Sequence, residues 1–250
     1  MSDGRWTRWR RQAWAVARYE LGRAVFSRRV LPVLLLVAMP LSLAGLRALF
    51  HLRFVVFFAC AVLFAKLFRG EILERSLHYS LLAPLRREVL VAGKYVGGVM
   101  AAWLVLLPAT AVTFILFHLP HGAAGIRQVL SATGATHLAG YLAVVALACC
   151  AYGALFLLAG LYFGNPMVPG LLFLGWEVAT PFLPPALKAL SVVHYLSSLL
   201  PVPPSLGPLA LLTRPVDPWL AGFGLLVATA VLLLLAVRKA RRLEVTYAAE

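Results

Sequence analysis

The sequence predicts an all-α integral membrane protein with six transmembrane helices, and three observations predict it. Apolar residues make up 62% of the chain and charged residues 13%, whereas a soluble domain carries roughly half and a quarter. The apolar residues gather in runs near or above the ~20 needed to cross a hydrocarbon core as a helix. They lack the strict alternation of a barrel strand. The basic residues cluster at alternate ends of those runs, as membrane topology requires.

Residues 5–29 read as an N-terminal amphipathic interfacial helix. Trp6, Trp9, Ala13, Val16, Ala17, Ala24 and Val25 recur at helical spacing, and Arg8, Arg11, Arg18, Arg23 and Arg28 fill much of the rest. Such a helix is expected in the headgroup plane, with its tryptophans in the interface and its arginines on anionic lipid. The charged stretch is too long for the start of a cleaved signal peptide, and more spans follow. The first span is expected at 30–49, kinked by Pro40. A second, short span at 54–68 ends on Lys66 and Arg69, whose stems can snorkel.

Residues 69–93 form the one long polar interruption. The third span is placed at 95–117, a loop at 118–135, the fourth span at 137–163, a Gly164-Asn165-Pro166 turn, and the fifth span at 167–185. Nine of the sixteen prolines lie between Pro181 and Pro218. That density forbids one straight span across 186–216 and favours short helices or a re-entrant hairpin in the outer leaflet. The sixth span, 218–237, is closed by Arg238, Lys239, Arg241 and Arg242.

The net charge of +14 could signal nucleic acid, anionic lipid or topology. Position decides for topology. Eighteen of the twenty-three lysines and arginines fall in 1–29, 66–94 and 238–242; the other five are Arg47, Arg53, Arg127, Lys188 and Arg214. This asymmetry puts both termini and the 69–93 segment in the cytoplasm. Nucleic acid is not an expected partner. Arginine outnumbers lysine nineteen to four, which suggests a GC-rich bacterial genome and hence a bacterial plasma membrane.

The segment 69–94 carries the most information. Physically it is an amphipathic cytoplasmic helix, a turn set by Pro84, and a second short helix running into the third span. Glu71 and Arg75 are spaced to pair along one helix face. In order it presents Glu71, Ser76, Leu81-Leu82, Pro84, Arg87 and Gly93-Lys94. This series resembles the cytoplasmic coupling region of ABC transporter permeases of the type 2 exporter class. That family also has an interfacial helix before the first span, six spans, and irregular outer helices between the fifth and sixth. Arg75 departs from the family pattern, which often has glycine before the hydroxyl residue.

The resemblance implies a transport subunit rather than an enzyme, with the whole chain, 1–250, forming one permease domain. It implies a second permease copy or paralogue, and a separate ATPase that binds the ATP and Mg. No GxxxxGK[ST] phosphate loop is present in this chain, because Gly93-Lys94 is followed by Tyr95 and lacks the upstream glycine. The expected ATPase-coupling residues are Glu71, Glu74, Arg75, Ser76, Pro84, Arg86, Arg87 and Lys94. No cofactor is expected on this chain itself.

Glu177, beside Trp176, is the only acidic residue well inside an expected span. A charge near mid-bilayer costs roughly 2.5–3.5 kcal/mol on insertion scales. Trp176 and Glu177 therefore carry two readings: they line a substrate path or dimer interface, or Glu177 makes an internal hydrogen bond to a neighbouring helix, for instance through Thr180. His118 and His121 lack a carboxylate or cysteine to complete a metal site. Cys60, Cys149 and Cys150 lie in apolar runs and read as small buried hydrophobes. Gly93 and Gly97, and Gly160 and Gly164, have the spacing that permits close helix approach, more often inside one chain than across a dimer seam. No catalytic triad or helical HExxH is present. An integral membrane enzyme acting on lipid or isoprenoid, and a non-transporting anchor subunit, are the competing classes.

Overall fold

The computed structural model describes residues 3–25, 51–64, 86–163, 167–188, 190–201 and 216–241. The expected first span, 30–49, and most of the 69–93 segment lie outside the described residues. Those that are described are helical almost throughout, with no strand among them.

In chain order the helices are α1 (Asp3–Val25), α2 (51–64, π-helical over His51–Val56), α3 (Arg87–His118), α4 (Gly122–Leu130), α5 (Ala132–Tyr162), α6 (Met167–Ala179), α7 (Pro185–Lys188), α8 (Val192–Ser198) and α9 (Pro218–Arg241). Helices α3, α5 and α9, of 32, 31 and 24 residues, are long and apolar enough to cross a membrane. At 1.5 Å per residue they run about 48, 46 and 36 Å, against a hydrocarbon core of roughly 30 Å.

Side-chain pairings fix how these three sit. Tyr95 and Trp103 of α3 donate to the carbonyls of Cys150 and Ala146, and Phe114 stacks near Tyr141. Rising numbers on α3 meet falling numbers on α5, so the two are antiparallel. Arg87 at the start of α3 meets Arg241 at the end of α9, so α9 also opposes α3 and runs with α5. The core between them is apolar and aromatic. Phe57 packs edge-on to Tyr152 and Phe156. Gly153 has no room for a side chain, because a Cβ would lie 2.6 Å from the Phe64 ring.

Two expected boundaries differ. The expected loop 118–135 is itself helical. Gly122, at φ 60°, turns the chain after a 3-10 turn at Leu119–His121, α4 follows, and the Ser131 hydroxyl caps α5 by accepting from the Gly134 amide. The stretch expected as a fifth span is broken. Helix α6 ends at Ala179, a 3-10 turn spans Thr180–Phe182, and α7 begins at Pro185. At 13 residues α6 alone is about 20 Å long, so a fifth crossing would need the broken stretch after it as well. Pro181, Pro184 and Pro185 cannot donate the amide bonds that would continue it.

Candidate functional site

Basic side chains collect at the end of the molecule where α3 begins and α5 and α9 finish. Arg86 is extended, at φ −67° and ψ 136°, and its carbonyl accepts from the Val89 and Leu90 amides to open α3. Its guanidinium lies over the Trp9 ring, 5.1 Å from the centroid. Arg87 donates to the Arg241 carbonyl at 3.0 Å, and Arg241 returns a 2.8 Å ion pair to Glu88. These exposed contacts satisfy the carbonyl end of α9 with a cation, the favourable sign for that end of a helix dipole. Lys239 sits 4.8 Å from the Tyr162 ring centroid, which ties α9 to the end of α5. The far end of the bundle, around α4, α7 and α8, carries only Arg127 and Lys188 among the described lysines and arginines.

Helix α1 is held against the first turns of α3. A Cβ on Gly93 would meet Val16 Cβ at 2.6 Å, and one on Gly97 would meet the Ala17 carbonyl oxygen at 2.7 Å. The Gly93–Gly97 spacing thus serves packing within the chain. Contact positions rise together along both helices, from Trp9 with Arg86 to Ala17 with Gly97, so α1 runs parallel to α3 there. The apolar stripe expected to face lipid, Ala13, Val16 and Ala17, is taken up by α3. At the centre of this contact Lys94 donates to Glu20 at 2.6 Å, with both side chains buried. Lys94 therefore lies inside the fold, whereas Arg86 and Arg87 are exposed. Glu71, Glu74, Arg75, Ser76 and Pro84 fall outside the described residues.

Glu177 is 1% exposed and is enclosed by donors. Its Oε1 accepts from the Val192 amide at 2.8 Å, and Oε2 accepts from the Val193 amide at 2.9 Å and the Ser191 hydroxyl at 2.7 Å. Ser191 in turn accepts from Thr180 and from the His194 amide. The carboxylate caps the amino end of α8, whose first amides have no partners within the helix, and the dipole there favours negative charge. The internal hydrogen bond expected of Glu177 is observed. It runs to α8 directly, with Thr180 one step behind. Trp176 is half-buried, and its carbonyl accepts from Thr180.

Burial, and then the neighbouring Lys188, push the His194 imidazole below its ordinary value of 6.5. The ring of His118 bonds the Phe114 carbonyl at 2.8 Å, and His121 is exposed. Among the described residues no group of three or more His, Cys, Asp or Glu could hold a metal ion. The cysteines are free, with Cys60 and Cys149 buried and Cys150 half-buried.

The sequence reading missed the Glu20–Lys94 pair. Its signal was present: Glu20 is the one acidic residue in the body of a strongly basic helix, and Lys94 follows the glycine that lets α1 approach. No family model matches the chain, and no curated protein matches it.

Proposed function

We propose that this chain is the membrane-spanning permease of an ATP-driven exporter of the type 2 ABC class. On this reading it has six spans and both termini in the cytoplasm of a bacterial plasma membrane. It pairs with a second permease copy or paralogue, and cargo passes between the two. A separate ATPase binds ATP and Mg and engages residues 69–94, with Glu71, Glu74, Arg75, Arg86 and Arg87 as its main contacts. Lys94 acts from within, by holding α1 on α3. The Pro-rich 186–216 segment serves as the outer gate.

The observation that carries the reading is where the coupling-like segment ends. It enters α3 at Arg86 and Arg87, the point at which α1, α3 and α9 are tied together by Trp9, Glu88 and Arg241. A push on that segment would reach three helices at once. The concentration of lysine and arginine at this end supports its cytoplasmic placement.

The test is a pull-down of the full-length protein from its native membrane, followed by an ATPase assay. An ABC ATPase is expected to copurify, and Glu71→Lys or Arg87→Glu is expected to release it. Recovery of the permease without any ATPase, or charge reversals that leave complex and activity intact, would refute the reading.

A further inference from the structure

We infer that the outward face of α1 is a binding site for the phosphate of an anionic membrane lipid. The inference rests on α3, α5 and α9 crossing a membrane, not on the exporter reading. Arg11, Trp14, Ala15, Arg18, Tyr19 and Gly22 recur at three- and four-residue spacing and line one open cleft on the side of α1 turned away from α3. Arg11 and Arg18 are exposed, and Trp14 and Tyr19 are 57% and 65% exposed. A Cβ on Gly22 would meet nothing within 4 Å, so the cleft is open beside Gly22.

Charge complementarity chooses the occupant. Glu20 is the acidic residue that would have diluted this surface, and it points inward to Lys94. The described side chains left exposed on α1 are therefore cationic wherever they are charged: Arg10, Arg11 and Arg18. Arg11 and Arg18 are two turns apart, roughly 10 Å along the axis, so both flexible stems can reach one phosphodiester seated over Ala15 between them. Guanidinium forks suit phosphate geometry. Trp14 and Tyr19 beside them have the amphipathic character of side chains at the headgroup level.

Depth agrees. Helix α1 runs parallel to α3, and Ala17 meets α3 at Gly97, near the expected entry of α3 into the apolar layer. Arg18, Tyr19 and Gly22 then stand at the interface. This differs from an amphipathic helix floating on its apolar stripe, because here that stripe is buried in the protein and the basic–aromatic face meets the lipid.

The test uses the full-length chain in neutral detergent, titrated with phosphatidylglycerol or phosphatidylcholine, with bound lipid counted by native mass spectrometry. Phosphatidylglycerol is expected to bind in preference. Arg11→Gln and Arg18→Gln are each expected to weaken it about fivefold, and the double variant roughly thirtyfold, the scale for one basic residue at an anionic surface. Arg127→Gln, at the other end, is expected to change nothing. Both α1 arginines are exposed, so an unchanged melting temperature will show that the variants fold. Equal binding of the two lipids, or a double variant that binds phosphatidylglycerol like the wild type, would overturn the site. A double variant that keeps the lipid but loses a soluble protein partner would overturn it in favour of a protein dock.

Discussion

Removing one member of the Glu20–Lys94 pair should destabilise the protein far more than removing both. The two charges are 2.6 Å apart and buried. At an effective dielectric of ~20, unit charges at that separation attract by about 6 kcal/mol. Withdrawing each ion from water costs several kcal/mol, so the intact pair is close to neutral overall. Lys94→Met alone leaves a carboxylate buried against α3 without its partner, and Glu20→Leu alone leaves an ammonium; either should cost about 3–5 kcal/mol. On a scale of ~2–4 °C per kcal/mol for a chain of this size, each single variant should melt roughly 6–20 °C below the wild type. The double variant should return most of that loss, because neither charge is then buried without the other. Thermal unfolding of the detergent-solubilised chain, followed by tryptophan fluorescence, reads all four proteins. Raising salt should not mimic the single variants, since a buried pair is little screened. A double variant as unstable as the worse single, or a single variant that melts with the wild type, would refute the argument.

Three further outcomes follow from the same geometry. Gly97→Ala places a methyl group 2.7 Å from the Ala17 carbonyl oxygen, a backbone atom that cannot swing aside, so α1 must shift at about 1–3 kcal/mol. Faster trypsin cleavage after Arg11 and Arg18 would report it, and an unchanged digest would count against the close contact. Glu177→Gln turns an amide NH2 toward donors that now share the carboxylate, at about 1–3 kcal/mol. Amide exchange at Val192 and Val193 should accelerate, and unaltered protection would show that α8 does not depend on the cap. His194 is held below 6.5 by burial and Lys188, so below that pH the unfolded chain binds the extra proton first. Its contribution is complete above about pH 6.5 and is lost as pH falls toward the lowered value. His194→Gln should flatten the acid side of the stability profile, and an identical profile would exclude the histidine as its source.

Long apolar periodicity was legible in the sequence because a lipid-crossing helix has to be apolar over its whole length, and α3, α5 and α9 contain nearly all of the expected third, fourth and sixth spans, although α3 begins eight residues and α5 five residues before the expected starts. The turn after α6 was visible as prolines, yet the expected span ran six residues past Ala179. Hydropathy stays high through Pro181 and Phe182 even where the backbone can no longer continue a helix. Helix α4 is hard to read from the sequence because it is only nine residues long, too short for its apolar positions Ala123, Ile126, Val129 and Leu130 to establish a period. The site was legible only by residue type. Glu177 announced itself as a buried carboxylate, but two of its three donors are backbone amides fifteen and sixteen residues away, which have no sequence signature, and the third is the Ser191 hydroxyl. Helix α1 showed its amphipathicity while concealing which face met protein, because glycine at positions 93 and 97 lets a second helix replace lipid.

The internal pairs at the basic end have a mechanical consequence for the proposed function. Glu20 with Lys94 and Trp9 with Arg86 join α1 to α3 over three turns, and Glu88 with Arg241 joins α3 to α9. The buried pair is not weakened by salt, whereas the exposed Glu88–Arg241 bridge is worth about 1 kcal/mol or less. Force entering at Arg86 should therefore move α1 and α3 as one body and let α9 part from them first. A cysteine pair bridging α1 and α3 should leave ATP-driven transport intact, while one bridging the start of α3 to the end of α9 should stop it. Full transport with the second bridge closed would mean that the basic end moves as a single block and that the opening lies elsewhere.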